Sequence, residues 1–132
     1  MEVAQARRFA RVFAALCLLA STVGCDWPHL PPPPELGAVV ENHASEPLAT
    51  VSLTVAGKSL PDLHDIGVGA EARVTTPNDR GDGVWTIHVR FASGRELSSE
   101  DVGYVTNGAT MTHHITVTDD AIVSGPVEMV EY

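Results

Sequence analysis

The chain has 132 residues, 44% of them hydrophobic and 19% charged, with a formal charge of −9 and two cysteines. Lys58 is the only lysine, and without clustered Lys and Arg, binding to nucleic-acid phosphates or to anionic lipid through a polybasic patch is disfavoured. A chain of this length buries one modest core, and no internal repeat or second globular domain is visible.

Arg7, Arg8 and Arg11 give the N-terminus a positive start, and residues 12–23 form a short apolar run. Ser21-Thr22-Val23-Gly24-Cys25 closes it. A charged start, an apolar stretch of this length and a small residue before a cut are the three parts of a secretory signal. The run is shorter than the ~20 residues that cross a bilayer. A mitochondrial presequence would be amphipathic and Ser-rich, whereas this stretch is uniformly apolar after Arg11.

Thr22-Val23-Gly24-Cys25 resembles the lipobox of bacterial lipoproteins, although Thr22 stands where the family pattern usually has Leu. The resemblance covers the first 25 residues. It implies that residues 1–24 are a removed signal peptide and that Cys25 becomes the acylated N-terminus. The alternative is ordinary signal cleavage followed by a chance cysteine. Cys17 lies inside the removable segment, so the mature chain would keep Cys25 alone and form no internal disulfide. Acylation accounts for that unpaired thiol. Each buried methylene of an acyl chain contributes about 0.8 kcal/mol to membrane attachment, so two or three chains make a lasting anchor. Asp26 directly after the cysteine resembles the inner-membrane retention signal of enteric lipoproteins. Loss of residues 1–24 removes three Arg and Glu2, leaving 5 basic against 16 acidic residues and moving the charge from −9 to −11.

Trp27, His29 and the four prolines Pro31, Pro32, Pro33 and Pro34 follow. Consecutive prolines favour an extended polyproline II spacer, so residues 25–35 read as the lipidated cysteine and its tether. Residues 36–132 then form the folded domain.

Within that domain residues 36–41 and 70–76 read as strands. Residues 50–55 alternate, with Val51, Leu53 and Val55 inward and Thr50, Ser52 and Thr54 outward. Residues 84–91 give the clearest case: Trp85, Ile87, Val89 and Phe91 on one face, Thr86, His88 and Arg90 on the other. Alternation with period two marks a half-buried strand. Residues 98–102 fit a single helical turn capped by Ser98. Asn107-Gly108 predicts a type I′ hairpin between residues 102–106 and 109–118. In the second of these Met111, His113, Ile115 and Val117 share one face. A last strand is expected near residues 127–132. The sum is an all-β fold, a small antiparallel sandwich of about seven strands. Its arrangement resembles bacterial immunoglobulin-like and transthyretin-like accessory domains in architecture alone.

Six histidines raise the question of a metal site. Zinc needs three or four converging ligands, and no HxH or HxxxH spacing occurs. His113 and His114 leave opposite faces of one strand, and His88 meets His114 only if their strands pair. Asn78-Asp79-Arg80-Gly81-Asp82-Gly83 begins like a calcium loop, but Arg80 occupies the third position and Val89 the twelfth, where oxygen ligands belong. It contains Arg80-Gly81-Asp82, the tripeptide that integrins recognise, and it also reads as an ordinary turn. No GxSxG elbow or phosphate-binding glycine loop precedes a helix. The acidic pairs Glu100-Asp101 and Asp119-Asp120 fall beside turns. No catalytic set, cofactor or metal ligand is therefore expected. The expected function is binding or scaffolding in the cell envelope, with a protein partner. A histidine-based periplasmic metal carrier and a small carbohydrate-binding or hydrolytic module stand as alternatives. Tyr104 and Tyr132 are the aromatic side chains left for sugar stacking once Trp85 is in the core and Trp27 in the tether.

Overall fold

The computed structural model describes Pro28 and residues 30–130. Residues 1–24, Cys25, Asp26, Trp27, His29 and Tyr132 lie outside the described residues. The compact unit that carries the fold spans Pro32–Tyr132.

Ten strands occur among the described residues: β1 (Glu35–Asn42), β2 (Leu48–Val55), β3 (Lys58–Ser59), β4 (Leu63–Ile66), β5 (Glu71–Pro77), β6 (Gly83–Phe91), β7 (Glu96–Ser99), β8 (Tyr104–Val105), β9 (Thr110–Val117) and β10 (Ile122–Val130). One sheet has the order β10-β9-β1-β5. The other runs β3-β2-β6-β7, with β4 also paired to β2 and β8 to β6. The fold is an all-β sandwich, as the alternation predicts. The count exceeds seven because β3, β4, β7 and β8 are two to four residues long, too short for alternation to show in sequence.

The core lies between the inner faces. Leu36, Ala38 and Val40 of β1 and Met111, Ile115 and Val117 of β9 face Val51, Leu53 and Val55 of β2 and Trp85, Ile87, Val89 and Phe91 of β6, all buried. In β2 a register shift between Leu48 and Thr50 lets Leu48 and Val51, three apart, both turn inward. An extra residue on one strand resets which face it presents.

Three expectations are corrected. The sandwich is not wholly antiparallel: β1 and β9 pair in parallel, Leu36 opposite Met111 through Asn42 opposite Val117. Parallel neighbours need a long crossover, and here the chain passes through the second sheet between them. Asn107-Gly108 does not close a hairpin. β8 pairs with β6, Val84 opposite Tyr104, and the turn carries the chain from one sheet to the other. Gly108 has φ 78°, but Asn107 is not in the left-handed region, so the type I′ geometry is absent. That geometry occurs instead at Ala56-Gly57, φ 50° and 74°, the two-residue link between β2 and β3. Residues 98–102 form no helical turn either. Ser98 and Ser99 belong to β7, where Leu97 packs against the core and outweighs the capping signal.

Buried side-chain amides tie the loops to this frame. Asn42 is fully buried. Its Nδ2 donates to the carbonyls of Glu46, Ile66 and Gly67 at 3.0, 3.0 and 3.2 Å, and its Oδ1 accepts from the Ala44 amide at 2.9 Å. Asn78 is likewise buried. Its Nδ2 donates to the carbonyls of Thr106 and Ala109, and its amide donates to the carbonyl of Pro34. The last proline thus joins the domain, and β1 begins at the next residue.

Candidate functional site

On β2, β6 and β7 the side chains opposite the core project from the outer face of the second sheet. Register sets them in rows: Thr50 beside Arg90 and Arg90 beside Glu96, Ser52 beside His88 and His88 beside Ser98, Thr54 beside Thr86. β4 adds His64 next to Thr50, and β3 adds Ser59 next to Thr54. Short hydroxyl side chains between longer ones leave a concavity of about 140 Å³ lined by Thr50, Ser52, His88 and Arg90. Arg90 donates through Nε and Nη2 to one oxygen of Glu96 at 3.3 and 3.0 Å, while His88 stands 3.8 Å from the other. All these groups are at least partly exposed, so the Arg90–Glu96 pair contributes little to stability. It does present a donor and an acceptor side by side. At the far end of the face Val84 lies opposite Tyr104, the two side chains 37% and 56% exposed.

The outer face of the first sheet carries a different group. His43 Nε2 is 3.2 Å from Glu41, and His114 bridges toward Glu41 at 4.0 Å and Glu128 at 3.3 Å. His88 and His114 therefore sit on separate sheets. His113 points into the core, 1% exposed. The three histidines of the metal-carrier alternative do not converge, and among the described residues no group of three or more His, Cys, Asp or Glu can hold a metal ion.

His113 occupies an unusual place for a histidine. Its ring meets Trp85 edge-on, centroids 5.6 Å apart at 69°. Neither of its ring nitrogens, nor the Trp85 Nε1, has a hydrogen-bond partner among the described residues. Gly103 covers it: a Cβ there would come within 3.2 Å of His113 Nδ1, and φ is 134°. Both the space and the backbone therefore call for glycine. Burial holds the His113 pKa below the ordinary histidine value, because desolvation disfavours the charged ring. The sign follows: the unfolded chain takes up a proton near pH ~6.5 while the folded one resists. The contribution of neutral His113 is complete above that pH and is lost as pH falls toward the lower folded value. Between pH 7 and 5 the wild-type chain is expected to lose more stability than His113→Leu, read by urea denaturation at both pH values. Equal losses would reject a neutral buried His113.

The loop segments settle into structural roles. Arg80 donates to the Ser59 carbonyl and to Thr76 Oγ1 at 2.9 and 3.0 Å, and Asp82 accepts from the Asn107 amide at 2.7 Å. Arg80-Gly81-Asp82 is thus engaged within the domain, with its two charged side chains already bonded. Asp119 accepts from the amide and hydroxyl of Ser45 at 2.9 and 2.8 Å, and Arg95 reaches it at 3.7 Å. Glu46 accepts from Ser93 at 3.0 and 2.6 Å. The Ser45 bonds hold the Asp119 pKa below the usual carboxylate range, and the Ser93 bonds do the same for Glu46. These are clamps between neighbouring loops.

Sequence reading missed Asn42, placed Asn78 only in a turn, and missed the gathering of six hydroxyls on one face. Alternation places Thr50, Ser52 and Thr54 outward but does not say which strand lies beside them.

No family model matches the chain, and no curated protein matches it. Among solved structures it is similar to the NMR structure of a protein from Eubacterium rectale. The identity is 12%, with 69% of this chain and 86% of that chain covered and a TM-score of 0.51. At that identity the likeness shows the fold alone.

Proposed function

We propose that the chain is a bacterial lipoprotein whose small acidic β-sandwich acts as a binding or scaffolding module of the cell envelope, without catalytic activity. The observation that carries this reading is the run from Arg7 through the apolar residues 12–23 to Thr22-Val23-Gly24-Cys25, placed just ahead of a proline segment and a folded domain. Residues 1–24 are removed in this scheme, and Cys25 carries the acyl chains. Residues 26–33 span about 25 Å if extended as polyproline II. Asp26 favours retention at the inner membrane, facing the periplasm. Confinement beside a membrane raises the effective concentration of a module toward its neighbours without any new contact.

Intact mass of the protein extracted from bacterial membranes tests this. The expected species starts at Cys25 and carries added acyl mass, while Cys25→Ala stays unprocessed at full length. An unacylated mature chain in the soluble fraction would overturn the lipoprotein reading.

A further inference from the structure

We propose that the outer face of the six-stranded sheet binds a glycan chain of N-acetylated amino sugars. The assignment rests on the binding-module reading above and supplies its ligand class, but it does not depend on the acyl anchor.

Three features of the face converge on this chemistry. The first is charge. With 16 acidic residues among 25–132, the domain repels polyanions, yet the six strands of this sheet carry two carboxylates, Asp65 and Glu96, matched by Lys58 and Arg90, and Arg90 pairs with Glu96. The face is the near-neutral side of an acidic domain and suits an uncharged ligand. The second is hydrogen-bonding capacity. Thr50, Ser52, Thr54, Ser59, Thr86 and Ser98 each donate and accept, and the Arg90–Glu96 pair sets a donor against an acceptor. A sugar diol offers the same alternation, so its hydroxyls exchange water for protein partners without leaving either side unpaired. The concavity of about 140 Å³ at Thr50, Ser52, His88 and Arg90 gives one ring a seat.

The third is Tyr104. It stands exposed beside Val84 at the opposite end of β6. An exposed aromatic ring offers an apolar face with a polar tip, which matches a pyranose ring with its C–H face and hydroxyl rim. Val84 next to it offers apolar contact to the methyl of an acetyl substituent. Arg90 lies six positions beyond Val84, about 20 Å along a strand. The site is therefore elongated, suited to an oligosaccharide with one end stacked on Tyr104 and the other seated beside Arg90.

The test is isothermal titration of the full chain, purified in detergent, with chitopentaose and with cellopentaose, which lacks the acetyl groups. Saturable binding of chitopentaose is expected, at least fivefold weaker for cellopentaose. Tyr104→Ala and Arg90→Ala should each weaken it about tenfold, the range of a moderate interface contact. Both side chains are exposed, and unchanged thermal unfolding of the two variants would confirm that they remain folded. Glu128→Ala, on the other sheet, should leave binding unchanged. No saturable binding, equal binding of the two sugars, or binding indifferent to Tyr104 and Arg90 would overturn the proposal. Because the readout is binding rather than processing at Cys25, such a failure is distinct from failure of the lipoprotein assignment.

Discussion

Trp85→Ala is expected to destabilise the domain by about 3–5 kcal/mol, the range for truncating a large aromatic side chain in a packed interior. Trp85 is wholly buried between the sheets and is the largest such side chain. β6 pairs with β2 along one edge and with β7 and β8 along the other, so a cavity there has few routes to collapse. One term opposes the loss. The Trp85 indole N–H has no partner among the described residues, and removing an unpaired buried donor relieves its desolvation. Trp85→Phe separates the two effects. It removes the N–H and keeps most of the volume, so a cost below about 1.5 kcal/mol is expected, as for other nearly size-preserving core swaps. Urea denaturation of both variants at pH 7 provides the measurement. A loss near zero for Trp85→Ala would contradict the burial of β6.

Asn42→Ala should cost about 2–4 kcal/mol by the same measurement, because it leaves buried partners unpaired at 1–3 kcal/mol each. The amide closes the end of β1 against two loops. Its Nδ2 reaches the Glu46 carbonyl in the β1–β2 connection, the Ile66 carbonyl at the end of β4 and the Gly67 carbonyl just after it, and its Oδ1 fixes the Ala44 amide. The backbone of Asn42 joins the same network through Ala70 and Gly69. Asn42→Asp is the sharper probe. It preserves size and the bond to Ala44, but a carboxylate has no donor for the three carbonyls and places negative charge against them. Asn42→Asp should therefore be at least as destabilising as Asn42→Ala at neutral pH. If it were milder, the bonds to the carbonyls would not be what holds the loops.

Acid should act on this domain in two stages. His113 loses its contribution below about pH 6.5. Asp119 and Glu46, whose folded pKa values are lowered by Ser45 and Ser93, contribute fully above the ordinary carboxylate range and lose that contribution only as pH falls through it. The His113→Leu comparison isolates the first stage.

Residue alternation alone is enough to read the all-β class and the inward faces of the long strands. Val51, Leu53 and Val55, Trp85, Ile87, Val89 and Phe91, and Met111, Ile115 and Val117 are all buried as alternation requires. Successive side chains of a strand leave opposite faces whatever its partner is, so this information is local to each segment. Pairing is not local. Asn107-Gly108 has the composition of a hairpin turn, yet Asp82, Gly81 and Asn78 hold it from another loop and β8 joins β6. The parallel match of β1 with β9, the bond of Asn42 to the Ile66 carbonyl and that of Asn78 to the Thr106 carbonyl join groups more than twenty residues apart. So does the row that sets Thr50 beside Arg90. Such partners are chosen by which backbone groups remain unsatisfied once the sheets close over the core, a property of the packed domain and not of any one segment.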